Sequence, residues 1–160
     1  MKRWFANVIA CSMVSLASAG DVPITPSGRQ FFALSVPDAR ASADWYGRAF
    51  GVKLLHEIKP ADGAAHILIL GSDELLVEIM QLRDAKSPGA AVIDARHLTH
   101  GIVKIGLYVR DLDAAVAHLK KMNARFDTEI IGDRKLDLRF VLVRDPDGNL
   151  VQLFSRLAGG

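Results

Sequence analysis

The feature that most constrains the fold is a pattern that the chain contains twice. Three residues of an alternating, strand-like stretch recur at a constant offset of 73 positions: Leu34, Val36 and Asp38 match Leu107, Val109 and Asp111. Each Asp is followed by apolar residues at helical spacing, which predict a helix. The Asp is at the position where its side chain can cap the start of that helix. Two copies of one unit predict a chain built from two similar modules.

Both modules continue in the same order, with one helix and then three strand-like runs. The first has a predicted helix over 39–50, ended by Gly51, and predicted strands over 53–58, 66–70 and 75–82. The second has a helical stripe from Leu112 to Met122 and predicted strands over 128–131, 138–143 and 150–154. We therefore predict β-α-β-β-β modules at 29–82 and 101–156, joined by a turn-rich, charged segment over 83–100.

Alternation along the strands predicts which residues share a face. Leu34 and Val36 lie on the side that packs under the first helix, so Phe31 lies on the other side. The same reasoning applies to the equivalent strands of both modules. The face away from the helices therefore collects Phe31, Glu78, Met80, Lys104, Tyr108, Gln152 and Phe154.

The last hairpin, FVLVRDPDGNLVQLF over 140–154, contains a glutamine in a run that otherwise has core character. Three residues explain the turn. Asp145 can accept a hydrogen bond from nearby backbone, Pro146 fixes its own φ, and Gly148 can adopt a left-handed conformation. Gln152 needs a separate explanation. It is either a hydrogen-bonded polar residue on a partly wet face or a residue that faces a ligand.

The repeated module, an aromatic residue late in the first helix (Tyr46, before Phe50-Gly51) and the closing D-P-D-G-N-x-x-Q-L resemble the vicinal oxygen chelate superfamily. That superfamily includes glyoxalase I, extradiol dioxygenases and bleomycin resistance proteins. The resemblance covers 29–156. It implies an α+β fold in which two tandem βαβββ modules form a curved mixed sheet around a cavity, with the helices on the outer face.

The resemblance also implies where a metal would be bound. In the metal-using members four strand positions supply ligands, and here these positions hold Phe31, Glu78, Lys104 and Gln152. Phe has no lone pair, Lys is a cation and Gln is uncharged, so only Glu78 is an ordinary metal ligand. A divalent ion usually needs three or more protein donors. We therefore expect no metal and no cofactor, and we expect Glu78 and Lys104 to approach each other across the cavity.

Arg139 is a further candidate for the cavity, because its planar guanidinium suits a carboxylate. The alternative is an ion pair with an exposed acid on a neighbouring strand. Among the histidines, His66 is a candidate for the cavity and His56 lies on a strand whose faces are less certain. The others are expected to be surface or structural residues: His97, His100 and His118.

The N-terminal residues predict a secretory signal peptide over 1–19, followed by a linker over 20–28. The chain starts with a basic Met1-Lys2-Arg3, continues with an uncharged run and reaches a small-residue signature at Ala17-Ser18-Ala19. A retained N-terminal helix and lipid attachment at Cys11 are weaker alternatives. We expect a periplasmic or secreted protein without membrane association once the leader is removed.

Charge and cysteine content exclude several function classes. Lys2 and Arg3 lie in the leader, which leaves 18 of the 20 basic residues against 18 acidic ones. A neutral balance without a basic stripe argues against nucleic acid as a partner. Cys11 is the one cysteine of the chain, so a processed chain has neither disulfides nor thiol chemistry.

The sequence favours an exported protein that binds a small organic molecule, with an anion as one option, in a metal-free sheet cavity. One alternative is a lyase, isomerase or dioxygenase whose metal is held by an atypical set such as Glu78, His66 and Gln152. Another is an envelope interaction module without a small ligand. Whether two chains form a homodimer, in which modules complete each other's cavities, stays open.

Overall fold

The computed structural model describes residues 29–89, 92–93, 98 and 100–157. The predicted leader over 1–19, the linker over 20–28, Cys11 and His97 lie outside these residues. In the part of the chain that is described, no helix is long and apolar enough to cross a membrane.

The two modules follow each other along the chain, each with one helix. The first comprises β1 (Gln30–Ser35), α1 (Ala39–Phe50), β2 (Lys53–Ile58), β3 (Ala65–Gly71) and β4 (Leu75–Leu82). The second comprises β5 (Ile105–Tyr108), α2 (Leu112–Lys121), β6 (Arg125–Phe126), β7 (Ile131–Asp133), β8 (Leu138–Arg144) and β9 (Leu150–Arg156). The predicted α+β class with two tandem modules is confirmed.

One predicted strand differs in the structure. The run over 128–131 is replaced by two short strands, β6 and β7, on either side of a bend. In the bend, the Thr128 hydroxyl accepts a hydrogen bond from the backbone N–H of Leu142. This side-chain hydrogen bond takes the place of a backbone–backbone hydrogen bond to β8. The predicted strand is therefore interrupted at Thr128.

The repeated Asp residues cap both helices, as predicted. The Asp38 carboxylate accepts hydrogen bonds from the backbone N–H groups of Arg40 and Ala41, each at 3.0 Å. The Asp111 carboxylate accepts the equivalent bond from Ala114 at 2.9 Å. These contacts satisfy donors that have no partner inside a helix, so the repeat seen in the sequence marks two helix starts.

Each module has its own sheet. The first has the strand order β1-β4-β3-β2 and the second β5-β9-β8-β6, with β7 also paired to β8. β1 is parallel to β4 and β5 is parallel to β9, while the other pairs are antiparallel. Each helix packs on one face of its own sheet.

The helix-bearing faces of both sheets contribute to one core. Its buried residues come from strands of the first sheet, strands of the second sheet and both helices: Leu68, Val77, Ile79, Val141, Val143, Leu153, Tyr46, Leu112 and Leu119. Burial alternates along the strands, since Val77 and Ile79 are buried whereas Glu78 and Met80 are half-buried. The assignment of faces from the sequence is therefore consistent with the structure for these residues.

A buried hydrogen bond joins α1 to the β8–β9 turn of the other module. The Tyr46 hydroxyl donates to the Asp145 carboxylate at 2.9 Å, and both residues are buried. The same carboxylate accepts bonds from the backbone N–H of Asp147, the backbone N–H of Asn149 and the Asn149 side-chain amide. Burial raises the pKa of Tyr46 well above its usual range, and the Asp145 charge raises it further, so the hydroxyl stays protonated.

A second bond lies beside the first. The Ser42 hydroxyl of α1 donates to the Asp147 carboxylate at 2.6 Å. Burial raises the pKa of Asp147, the carboxylates of Asp145 and Asp38 raise it further, and the Ser42 bond partly opposes them. The turn therefore carries two acidic side chains against α1, both held by hydroxyl donors.

We predict that Tyr46→Phe destabilises the protein by about 2 kcal/mol, because a buried carboxylate loses a donor while the ring remains. Denaturant unfolding of the two proteins measures the difference. Tyr108→Phe is the matched control, since Tyr108 is exposed, and its effect is expected within about 0.5 kcal/mol. Equal stability of the Tyr46 variant and the parent would show that the bond contributes nothing.

We also predict that the stability of the Asp147→Asn variant relative to the parent protein increases as the pH rises. A carboxyl whose pKa is raised by folding contributes stability below its unfolded pKa, and this contribution is lost as the pH rises through its folded pKa. Between about pH 3 and about pH 7 the free energy of unfolding should shift in favour of the Asn variant, which still accepts from Ser42. Asp44→Asn, at an exposed position of α1, is the matched control. A constant difference across this range would refute the expectation.

Candidate ligand-binding face

The faces of the two sheets that point away from the helices are called here the open faces. On the open face of the first sheet, neighbouring strands place Ala33, Glu78, Ile69 and His56 in one row. Phe31 and Met80 lie on the same face, and Phe31 is 58% exposed. This surface combines one carboxylate with exposed apolar side chains.

The open face of the second sheet has a different composition. Lys104 precedes β5 and is exposed, and by alternation it lies on the side of Gly106 and Tyr108. On β9, Gln152 is the direct neighbour of Gly106 and Phe154 is the neighbour of Tyr108. Four residues predicted for the site, Lys104, Tyr108, Gln152 and Phe154, therefore share this face.

Three aromatic rings cover part of this second open face. Tyr108 stacks on Phe154 with ring centroids 5.2 Å apart, and Phe140 packs at a tilt against the other side of the group at 6.2 Å. The absence of a side chain at Gly106 makes the arrangement possible, because a Cβ there would lie 2.9 Å from the Phe154 ring. Gly106 thus lets an aromatic ring lie flat on the sheet beside Gln152.

Gln152 is the polar residue at the base of this face. It is only 4% exposed, and its side-chain oxygen Oε1 is buried without a hydrogen-bond partner. Its direct neighbours, Gly106 and Leu142, offer no side-chain donor. Leaving a buried acceptor unpaired costs about 1–3 kcal/mol, so the chain tolerates an unfavourable group at this point.

Glu78 and Lys104 belong to different sheets and do not pair. No ion pair links these two residues in the described structure, and Lys104 is exposed. The reason is the shared core: the helix-bearing faces pack together, which leaves the open faces turned away from it. The expected approach of Glu78 and Lys104 across a cavity is therefore wrong for a single chain.

Arg139 lies on the opposite side of the second sheet. It alternates with Phe140 and shares the helix-bearing face with Val141. Its guanidinium makes two hydrogen bonds with the Asp113 carboxylate of α2, at 2.7 and 2.8 Å. This bidentate pair lowers the pKa of Asp113. The prediction that Arg139 faces the cavity is wrong. The alternative is correct in that Arg139 pairs with an exposed acid, but this acid lies on α2 and not on a neighbouring strand.

The histidines also have structural partners or exposed positions. His66 lies opposite Gln81 on the helix-bearing face, and its Nε2 is 2.8 Å from the Glu57 carboxylate. It cannot join Glu78 and Gln152 as a metal ligand. His118 contacts the backbone oxygen of Arg48 and so links α2 to α1. His56 shares the open face with Glu78, but two strand spacings separate them, about 10 Å.

The donors needed for a metal site are not assembled in the part of the chain that is described. No group of three or more His, Cys, Asp or Glu side chains is close enough there to hold a metal ion. At the four positions that the family resemblance indicates, Phe31 and Lys104 offer no donor. The remaining two, Glu78 and Gln152, lie on different sheets.

Phe140 was not predicted as a member of the second open face. Alternation along β8 places Phe140 and Leu142 on the face of Gln152 and places Arg139 with the buried Val141 and Val143. The same period that was used for β9 could have found Phe140 and excluded Arg139. The role of Gly106 depends on the position of the Phe154 ring, and no local sequence signal indicates it.

Two clefts of about 660 and 650 Å³ lie elsewhere on the molecule. The first lies between the β8–β9 turn and the segment after β4, and the second lies between the modules beside Phe50, Leu107 and Leu119. Of the residues considered for the site, Tyr108 lines the second cleft and His66 lines the first. The open faces are thus surfaces and not enclosed cavities in one described chain.

Comparison with known proteins agrees with this architecture. The model of the family described as Glyoxalase/Bleomycin resistance protein/Dioxygenase superfamily matches residues 28–153. The Bacillus subtilis (strain 168) protein YwbC, which is uncharacterized, is 26% identical over 126 residues, covering 77% of this chain and 93% of that protein.

Two solved structures share the fold at low sequence identity. A glyoxylase/bleomycin resistance protein/dioxygenase domain from Frankia sp. EAN1pec superimposes with a TM-score of 0.69 at 18% identity, covering 85% of this chain and 96% of the other. A glyoxalase family protein from Enterococcus faecalis gives a TM-score of 0.65 at 16% identity, covering 84% and 100%. At these identities the likeness extends to the fold alone.

Proposed function

Because the chain belongs to the Glyoxalase/Bleomycin resistance protein/Dioxygenase superfamily, we propose that it is a binding protein that holds a small organic molecule on the open face of its second sheet. The observation that carries the proposal is the unpaired Oε1 of Gln152, buried beside three aromatic rings. A ligand with a hydrogen-bond donor would satisfy this acceptor and remove its cost.

The proposed binding does not use a metal. Phe31 has no lone pair, Lys104 is a cation and Gln152 carries no charge, so the donor set does not fit a divalent ion. The atypical set with His66 receives no support either, because His66 lies on the helix-bearing face against Glu57. Binding through hydrogen bonds and stacking therefore explains the face better than metal-assisted chemistry.

Lys104 favours an anionic ligand. It lies on the open face with Gln152, is exposed and has no ion-pair partner in the described structure. Its ammonium has three donors that suit the oxygens of a small carboxylate or enolate. The polar contacts for such a ligand would then come from Lys104 at the rim and Gln152 at the base.

A second copy of the chain is proposed to cover this face. Apolar side chains are exposed on the open face of each sheet, including Phe31 on the first and Tyr108, 67% exposed, on the second. A homodimer with twofold symmetry would place the first sheet of one copy over the second sheet of the other. Glu78 of one chain would then lie opposite Lys104 of its partner, and a surface would become a cavity.

The protein is also proposed to be exported. Support comes from the basic start, the uncharged run and the Ala17-Ser18-Ala19 signature. A processed chain would have no cysteine and no net formal charge, which fits an oxidising compartment without disulfides. The proposed ligand is therefore one that occurs outside the cytoplasm.

We predict that protein purified without a polyhistidine tag contains far less than one equivalent of zinc, nickel, manganese or iron. The reason is that the open faces do not assemble three metal donors. Elemental analysis before and after dialysis against a chelator provides the measurement. One equivalent of any of these metals that survives the dialysis would contradict metal-free binding and would favour an enzyme.

We predict that Lys104→Met weakens the binding of small carboxylates about tenfold, the loss of roughly 1.4 kcal/mol. Benzoate and cyclohexanecarboxylate are titrated into isotope-labelled protein, and the amide resonances of Gly106, Leu142 and Gln152 are followed. Stability should change by less than about 1 kcal/mol, because Lys104 is exposed.

Arg139→Gln is the matched control for this titration, because it removes a cation from the opposite face of the same sheet. Its affinities should equal those of the parent. If neither carboxylate shifts resonances on the open face, the proposal of an anionic ligand is wrong. If Lys104→Met binds as tightly as the parent, Lys104 is not the anchor of the ligand.

A further inference from the structure

The aromatic group on the second open face ends in an exposed ring. Phe154 lies on the sheet over Gly106, Tyr108 stacks on it with an angle of 26° between the rings, and Tyr108 is 67% exposed. Among the described residues the Tyr108 ring has Phe154 as its one aromatic neighbour. An exposed, flat aromatic surface of this kind favours contact with another planar ring.

Gln152 lies close to this stack along the sheet. Gln152 is paired with Gly106, and Tyr108 follows Gly106 by two residues. Two residues of a strand span about 7 Å, which is close to the length of two fused six-membered rings. A single bicyclic molecule can therefore touch the Tyr108–Phe154 rings and reach the Gln152 amide at the same time.

The chemistry of Gln152 specifies what the reaching group must be. The unpaired atom is an acceptor, so the ligand must present an N–H or O–H donor. The terminal torsion of a glutamine has a broad distribution, so the amide can turn its oxygen towards the open side when a donor arrives. An apolar ligand would leave the oxygen unpaired.

We infer that the ligand is a planar aromatic compound of at least two fused rings that carries an N–H or O–H donor. This inference rests on the proposed function and defines its substrate class. The rings stack on the Tyr108–Phe154 pair, and the donor bonds to Gln152 Oε1. Lys104, on the same face, is available to an acidic substituent but is not required.

Three related probes separate the two contributions. β-Naphthol has both the flat rings and the donor, β-naphthyl methyl ether lacks the donor, and decahydro-β-naphthol has the donor on a saturated skeleton. Affinities for the parent protein are measured by isothermal titration, and the site is located from the amide resonances of Gly106, Leu142 and Gln152. We expect β-naphthol to bind about tenfold more tightly than either of the other two.

Two variants test the assigned contacts. Phe154→Leu should weaken β-naphthol about tenfold and leave decahydro-β-naphthol unchanged. Gln152→Met keeps the side-chain length, so it should abolish the preference for β-naphthol over its methyl ether and raise the melting temperature of the free protein. Phe126→Leu, on the helix-bearing face of the same sheet, should bind all three probes like the parent.

The outcomes distinguish this inference from the proposed function. If cyclohexanecarboxylate binds at the open face and β-naphthol has no advantage over its saturated analogue, the ligand class is wrong and the proposed function stands. If no carboxylate and no naphthol perturbs that face, both are wrong. If Gln152→Met keeps the preference for the free hydroxyl, the donor does not bond to Gln152 and the inference is overturned.

Discussion

The hydrogen bond from Tyr46 to Asp145 is the contact on which the arrangement of the two modules depends. Asp145 is 5% exposed, and its carboxylate is satisfied by donors of its own turn together with one hydroxyl from the other module. A buried carboxylate is costly without such donors, so the β8–β9 turn and α1 stabilise each other in one relative position. That position closes the helix-bearing faces into one core. It also leaves the opposite face of each sheet without a partner among the residues that the structure describes.

This arrangement explains the distribution of polar groups on the open faces. The positions at which metal-using relatives are expected to hold an ion are divided between two sheets, and only Glu78 among the residues found there is an ordinary metal ligand. The second sheet has instead an aromatic stack, a glycine that makes room for it and an unpaired amide oxygen. We propose that a face of this kind discriminates between ligands by ring shape and by hydrogen-bond donors, without a metal ion.

Much of the fold could be predicted because its signals are local. The Asp caps at positions 38 and 111, Gly51 after α1 and the alternation along β4 and β9 each act within a few residues. The Tyr46–Asp145 bond could not be predicted in this way, since the partners are 99 positions apart. The face of Arg139, in contrast, could have been predicted, because alternation along β8 places it with the buried Val141 and Val143. That Glu78 and Lys104 do not meet within one chain depends on how the two modules pack, which no local signal in the sequence indicates.

Cross-linking tests directly whether the open faces of one chain diverge and meet only between two copies. Glu78→Cys and Lys104→Cys are prepared as separate single variants and as a double variant, each with Cys11→Ser, and treated with a short bismaleimide. A covalent dimer is expected when the two single variants are mixed, whereas neither alone should yield it. The double variant should form intermolecular links and no link within one chain. A double variant that closes within a single monomeric chain would contradict the divergence of the open faces. No covalent dimer in the mixture would contradict their pairing.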